Sequence, residues 1–436
     1  MTTEILYFIE NTDERLNYYV TDKCNQMKSI EKVKSKEHKR FEAFGCYDDM
    51  TDLNEILIKF RTDFNLWSDE IKTLFSPNDY DFFDPKSYST NNTMVMCFFQ
   101  KYAKRILNQL KIPDIEILES LYMNQTNNGG LYYTEPGYHE NCYGYDLSSA
   151  YPNFLGNKEL DFDIPINEGK QSKYNSIDEL YKLYQNKKLN YGYYEIKITS
   201  EHPDVIKVFS FSKNNTYTHY DLIFCFVNKR IYKIEFEMIE KEFNCYLYDK
   251  KDVIKSHEIF GKWFDKGNII KEKLPKNRIA KHLVKSLWGM LSQYNRQFIT
   301  SEEWDKRDDL TRDKNDDKQF LIVKHHNESS IEIIDKKNPY KHNLARIKSF
   351  LTSYVRNYMA KMIKTEKLYK NIIRVYVDNV VLNIPHKFTE KTILKPIPED
   401  KTTGSLYFVN GNQYYRKCNK CNEFYDHKIK LCPECH

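Results

Sequence analysis

The chain has 436 residues, enough for two or three domains with substantial cores. Charged residues make up 30% of it and no apolar run approaches the ~18 residues that a membrane helix needs, which excludes a membrane-spanning helical protein. The opening MTTEILYFIENTDE carries acids where a secretory signal has bases, so a cytoplasmic protein is expected, and the net charge of +5 suits a polyanionic partner without demanding one.

Residues 1–120 are expected to be mostly helical, since NEILIKFRTDF (54–64) and MCFFQKYAKRILNQL (96–110) carry apolar residues at helical spacing. From residue 124 the texture changes to a loop containing Gly129 and Gly130, followed by an aromatic strand. After Pro152 a long insertion holds a predicted helix at SIDELYKLYQ and predicted strands at YGYYEIKI, VIKVFSF and YDLIFCFV. The segment 259–294 reads as two helices meeting at Leu274 and Pro275. A dense charge run then gives way to QFLIV and SIEII, a predicted β-hairpin. LARIKSFLTSYVRNYMAKMI is a predicted amphipathic helix, and NIIRVYVDNVVLNI a predicted strand pair around Asp378. No internal repeat is visible.

Four groups of residues can carry chemistry. Asp146 closes the aromatic run CYGYD; a carboxylate at a strand end, beside backbone carbonyls, is a ready ligand for a hard cation, while a helix cap is the plainer reading of Asp before Ser-Ser. Lys281, Lys285 and Trp288 stand at i, i+4 and i+7 and are expected on one face of a helix that Gly289 either ends or opens to a close approach. Two ammonium groups on one stripe can hold a triphosphate beside a ring that faces a base, and Lys271, Lys273, Lys276 and Arg278 extend the positive surface; a solvated basic face is the alternative. Asp378 interrupts an apolar strand, where a carboxylate needs a metal, a base or strong donors. Cys418-x2-Cys421 and Cys432-x2-Cys435, ten residues apart, have the spacing of a structural four-thiolate Zn²⁺ ribbon. The six other cysteines show no pairing pattern, as expected in a reducing compartment.

Taken in order, these runs resemble family B DNA polymerases, most closely the protein-primed branch of small phages, linear plasmids and some viruses. The family's first motif, D-x-x-S-L-Y-P, is matched by Asp146, Ser149, Tyr151 and Pro152, with Ala150 in place of Leu. Its second, K-x-x-x-N-S-x-Y-G, is matched by Lys281, Ser286 and Gly289, with Lys285 and Trp288 replacing Asn and Tyr. Gly129 and Gly130 resemble its Gly-Gly signature, and LTSYVRNYM its T-A-x-A-R helix. The third motif, D-T-D-S, meets a single Asp. Aligned with the first Asp, Asp378 leaves Val380 at the metal ligand and a dead site. Aligned with the second, it keeps the strand pattern and puts Tyr376 at the less essential position; the second register is preferred.

The resemblance spans roughly residues 120–415 and implies an α+β right-hand fold. It places the palm over 121–160 and 336–395, an insertion over 161–260, fingers helices over 261–296, a charged loop and hairpin over 297–335, and a thumb-like segment over 396–415. The helical region 1–120 and the zinc ribbon 416–436 lie outside it, and no proofreading exonuclease is expected in 120 residues without a D-x-E run. The implied activity is DNA-directed DNA polymerisation in replication of a virus or mobile element, with Mg²⁺ or Mn²⁺ held by Asp146, the Leu147 carbonyl and Asp378. Ser149, Tyr151, Lys271, Lys281, Lys285 and Trp288 would surround the nucleotide, with Tyr151 excluding a 2′-hydroxyl; Gly129, Gly130, Tyr354 and Arg356 would face DNA. Implied partners are template-primer DNA, dNTPs, and a terminal protein or replisome component. The departures at Lys285, Trp288 and the third motif support a competing reading, a degenerate polymerase fold serving as a DNA-binding or replisome-assembly subunit. A third reading makes the ribbon a recruiter of another protein.

Overall fold

The computed structural model describes residues 5–12, 15–22, 41–47, 91–126, 129–273, 278–300, 302–303, 320–327, 330–335, 339–389, 396–418 and 420–426. The chain divides into two compact units, Met1–Arg105 with Lys262–Met290, and Ile106–Gly261 with Leu291–His436. Among the described residues no helix is long and apolar enough to cross a membrane.

In the first unit, strands Ile5–Thr12, Arg15–Asp22 and Phe41–Tyr47 form an antiparallel sheet with the earliest strand in the middle. Within the region expected to be mostly helical, the described residues thus include these three strands beside the helices that follow. Ile5 to Ile9 is apolar at every position, which fits strand and helix alike, and its aromatic and branched side chains favour the strand. The 54–64 segment lies outside the described residues. Helix Asn91–Leu110 forms as expected, burying Val95, Phe98, Phe99 and Ala103 at positions i, i+3, i+4 and i+8. Helix Ser256–Lys273 forms over the first of the two helical segments expected around Leu274 and Pro275. Phe99 meets its Trp263 edge to face at 6.3 Å, and Gly267 admits Val284 so closely that a Cβ would lie 2.6 Å from the valine methyl.

The second unit is built on a large antiparallel sheet. Its central strand, Gly137–Leu147, pairs on one side with Asn379–Leu382, which continues to Ile372–Tyr376 and Tyr132–Thr134. On the other side it pairs with Gly404–Phe408 and Pro396–Pro398, and then Tyr414–Lys417 and Phe424–Asp426 extend the sheet. The segments expected as thumb and as the start of the ribbon therefore continue the same sheet as the expected palm, because the 11-residue central strand offers a long second edge. Tyr145, Leu147, Val375, Val380 and Leu382 are buried on one face, and Cys142, Ile373, Val381, Leu406, Phe408 and Tyr414 cluster on the other.

A second sheet has the order Glu235–Met238, Tyr191–Thr199, Cys245–Tyr248 and Lys170–Ser172, with Thr216–Thr218 added to Tyr191–Thr199. Two of the three strands predicted in this insertion are absent. VIKVFSF begins with a 3₁₀ turn, Val205–Lys207, and YDLIFCFV lies in helix His219–Asn228. The helix wins because Thr218 and Asp221 form a capping box, and because its residues are buried nearly all round, which removes the polar alternation's meaning. Helix Ile177–Gln185 is capped by Ser176 as its sequence predicts. The predicted hairpin forms from Phe320–Asn327 and Ser330–Asp335, with Gln297–Thr300 as a third strand.

Helix Lys348–Thr365 runs through the middle of this unit and is buried at eleven of its positions, more than one amphipathic stripe. Its approach is fixed by a fully buried ion pair. Arg346 Nε and Nη2 donate to the two Glu119 oxygens at 2.9 and 3.0 Å, while Tyr248 donates to Glu119 at 2.8 Å. Tyr191, Tyr193 and Tyr248 pack around Phe350 with ring centroids 4.3 to 5.8 Å away, one use of the chain's many aromatic residues.

Candidate active site

The first and third sequence runs meet on adjacent strands. Asn379 lies directly opposite Asp146, Val380 opposite Tyr145 and Val381 opposite Gly144. Asp378, one residue before Asn379, accepts a backbone hydrogen bond from Leu147 N–H at 3.0 Å. Two acids 232 positions apart in sequence thus stand at the same end of one strand pair, about 5–7 Å between Cα atoms by sheet geometry. Both are half-buried. Asp146 is the penultimate residue of its strand, and the helix Ala150–Gly156 that follows has Ser149 at its cap position, so the helix-cap reading of Asp146 does not hold. Asn153 ties down the intervening turn by donating to the carbonyls of Ser148 and Ser149, both at 3.1 Å.

Asp378 sits in a two-residue turn with Val377, between the paired residues Tyr376 and Asn379. Val377 has φ of +58°, a left-handed conformation that costs a residue with a Cβ about 1–2 kcal/mol. The Gly129–Gly130 loop packs on this turn. A Cβ at Gly130 would lie 2.8 Å from the Val377 methyl and 2.9 Å from its Cα, and Val377 N–H donates to Leu131 O at 2.9 Å. Gly129 has φ of +66°, which glycine alone adopts without penalty, and its carbonyl accepts from Arg356 Nη1.

Arg356 is buried. Its Nη2 reaches both oxygens of Asp221 at 3.1 and 2.9 Å, and its Nη1 holds Gly129, so the guanidinium expected to face DNA is spent inside the protein. Tyr354, also expected toward DNA, packs its ring against Phe154, Phe162 and Tyr220 at 5.0 to 5.6 Å, and burial pushes its phenol up to about 12. Arg356 projects from a buried side of its helix, whereas Tyr354 is half-buried.

Beside Asp146 lies a polar network that the sequence reading did not anticipate. Arg374 Nη1 donates to Asn379 Oδ1 at 2.9 Å, and Asn379 Nδ2 donates to Glu399 at 2.6 Å, so the amide opposite Asp146 is fixed at both ends. Arg374 also donates to Gly411 O at 3.0 and 2.7 Å and lies over the Tyr376 ring at 4.5 Å. An arginine inside the apolar run IIRVYV was the signal available in sequence, since a buried guanidinium must find acceptors. Tyr151, two residues beyond the Ser149 turn, is held protonated: burial first, then the Asp378 carboxylate and Tyr132, raise its phenol, against a smaller opposing effect of Arg356. That places Tyr151 within electrostatic reach of Asp378.

In the other unit, Lys271 on helix Ser256–Lys273 is brought near Lys281 and Lys285 of helix Arg278–Lys285. Burial, then the charges of Lys285 and Lys281, lower the Lys271 proton affinity, with Glu272 opposing. The single helix expected through Trp288 is instead broken at Ser286, where Ser286 Oγ and His282 Nδ1 are 2.6 Å apart; Trp288 and Gly289 belong to the short helix Leu287–Leu291. Gly289 therefore does not end the helix, and a Cβ there would meet nothing.

Cys418 and Cys421 flank a turn between strands Tyr414–Lys417 and Phe424–Asp426. Lys420 N–H donates to Cys418 Sγ at 3.4 Å and Asn422 N–H to Cys418 O at 3.0 Å. Cys432 and Cys435 lie outside the described residues. Among the described residues no group of three or more His, Cys, Asp or Glu is placed to hold a metal ion. A cation at Asp146 and Asp378 would thus take two carboxylates and complete its shell with carbonyls, water or substrate oxygens, the donor set that Mg²⁺ uses in phosphoryl transfer.

No protein-family description matches the sequence, and no curated protein matches it. Among solved structures the chain is similar to phi29 DNA polymerase complexed with single-stranded DNA, at 12% identity and a TM-score of 0.48, over 80% of this chain and 58% of that one. It is similar at 12% identity and a TM-score of 0.48 to phi29 DNA polymerase complexed with primer-template DNA and incoming nucleotide substrates, over 83% of this chain and 63% of that one. Both likenesses are at low sequence identity. The chain spans about three-fifths of the length of those polymerases.

Proposed function

We propose that this chain is a template-directed DNA polymerase that adds deoxynucleotides to a primer terminus at Asp146 and Asp378. One observation carries the reading: the antiparallel register that sets Asn379 opposite Asp146, and so brings the acids of the first and third sequence runs to one end of one strand pair. Two carboxylates at adjacent strand ends are a donor pair that a divalent cation can take up together with substrate oxygens.

In this reading Asp146, the Leu147 carbonyl and Asp378 hold Mg²⁺ or Mn²⁺. When bound, a metal pair supplies Lewis-acid activation of the attacking hydroxyl and charge neutralisation of the leaving pyrophosphate. Tyr151, whose phenol is held protonated by burial and by the Asp378 carboxylate, is assigned to the sugar of the incoming nucleotide, where it would favour a 2′-deoxy substrate. The Lys271, Lys281 and Lys285 cluster is an anion site of the charge a triphosphate requires. Cys418, Cys421, Cys432 and Cys435 are assigned a structural Zn²⁺, and the biological setting is replication of a virus or mobile element, with template-primer DNA as the main partner and a terminal protein or replisome component as a second.

The test is a primer-extension panel with dNTPs and NTPs, with and without primer, in Mg²⁺ and in Mn²⁺. Incorporation by the wild type that disappears in Asp146→Ala and Asp378→Ala is expected. DNA binding that survives both changes, with wild-type incorporation no greater than theirs, would replace the enzyme with a binding subunit.

A further inference from the structure

Val377 holds a left-handed conformation that a branched side chain adopts only when its surroundings impose it, and it directly precedes Asp378. Its surroundings are Gly130, where an added Cβ would lie 2.8 to 2.9 Å from its methyl and its Cα, and the Leu131 carbonyl that accepts its N–H. That loop is in turn held from behind by Arg356, through the Gly129 carbonyl, and Arg356 is anchored by both oxygens of Asp221.

Asp221 is itself well fixed. Its Oδ2 accepts from Thr218 N–H at 3.3 Å and Thr218 Oγ1 at 3.1 Å, it lies in the first turn of helix His219–Asn228, and Thr218 Oγ1 is 2.5 Å from Ser353 Oγ on the helix that carries Arg356. A continuous series of contacts therefore runs from the insertion, 161–260, through Asp221, Arg356, Gly129 and Gly130 to Val377.

We infer that Asp221 and Arg356 form a positioning brace for the Asp378 turn, so that the insertion sets the geometry of the catalytic carboxylate rather than standing as an appended module. Two properties of the residues fit this role. A guanidinium can hold a carboxylate and a carbonyl at once in fixed directions, which a lysine cannot. Gly130 transmits position because it has no Cβ: any side chain there would drive the turn away.

The test is hydrogen exchange on the full chain for the wild type, Asp221→Asn, Arg356→Lys and Gly130→Ala. The amides of Val377 and Leu147, which donate to Leu131 O and Asp378 O, should exchange at least about tenfold faster in every folded variant, while those of Leu406 and Phe408 on the far side of the central strand keep wild-type rates. Arg356→Lys should not rescue, whereas a simple charge pair would survive it. Wild-type protection of Val377 and Leu147 in the folded variants, or acceleration spread evenly over the sheet, overturns the brace. Should Asp221→Asn fail to fold, Gly130→Ala loads the same contact from the other end and decides alone. Only the activity arm rests on the polymerase reading: there Asp221→Asn should lower the turnover number on the order of tenfold with little change in KM for dNTP. If the wild type fails to exceed Asp378→Ala in incorporation, the polymerase reading falls while exchange still judges the brace.

Discussion

Asp378 illustrates how a single residue can be readable in sequence while its support is not. A carboxylate within Val375 to Leu382 stands out because its burial is costly, and the structure does put it in the turn that abuts Asp146. Nothing local announced that the turn would rest on Gly130, or that Arg356 would be consumed in holding Gly129, since those contacts join residues more than 200 positions apart. Lys271 carries a separate residue-scale prediction. Its proton affinity is lowered in the folded protein by burial and by Lys285 and Lys281, so an inorganic polyphosphate should restore it and take up a proton on binding. Triphosphate affinity, measured by calorimetry, should therefore fall as pH rises through the range just below 10.5, and should fall less in Lys271→Arg, which stays charged. Equal pH slopes for the two proteins would remove Lys271 from the anion site.

At the scale of elements, His219 and Glu119 show two ways of stabilising the insertion against its neighbours. His219 is enclosed by Tyr191, Tyr220 and Phe350, and burial lowers its pKa from 6.5 to about 3. The unfolded chain binds a proton there that the folded chain refuses, so this stability is complete above pH 6.5 and is lost as pH falls toward 3, at about 1.4 kcal/mol per unit. Denaturant titrations of His219→Phe should show a shallower loss between those values. Glu119→Gln should lower stability by about 3–5 kcal/mol by urea unfolding, because it leaves the fully buried Arg346 guanidinium without its counter-charge. Elements were legible where pattern and cap agreed, as in the helix after Ser176 and the hairpin around Asp378. One was missed where a short apolar run allowed either period: Tyr220 to Val227 became a helix, decided by the Thr218–Asp221 capping box.

For the whole molecule, sequence order conveyed the principle of assembly, two distant acids joined by strand pairing, but not how far the sheet would extend. Pro396–Pro398 and Gly404–Phe408 pair with the same central strand as the Asp378 hairpin, and the Cys418 turn joins the last two strands at one edge of that sheet. A tail linked this way should matter for holding template more than for chemistry. Deleting residues 416–436 is expected to weaken template-primer binding about tenfold or more, read by fluorescence anisotropy with its salt dependence, while the rate on saturating DNA changes little. Unchanged affinity would assign the four cysteines to another partner.

The most direct measurement is single-turnover addition of one dNTP to a primed template by the wild type and by Asp378→Ala. If Asp146 and Asp378 together supply several kcal/mol of transition-state stabilisation through bound metal, the substitution should cost on the order of 10³-fold in rate with DNA affinity retained. Equal rates in the two proteins, or no addition by either, would contradict the assignment of catalysis to this strand pair.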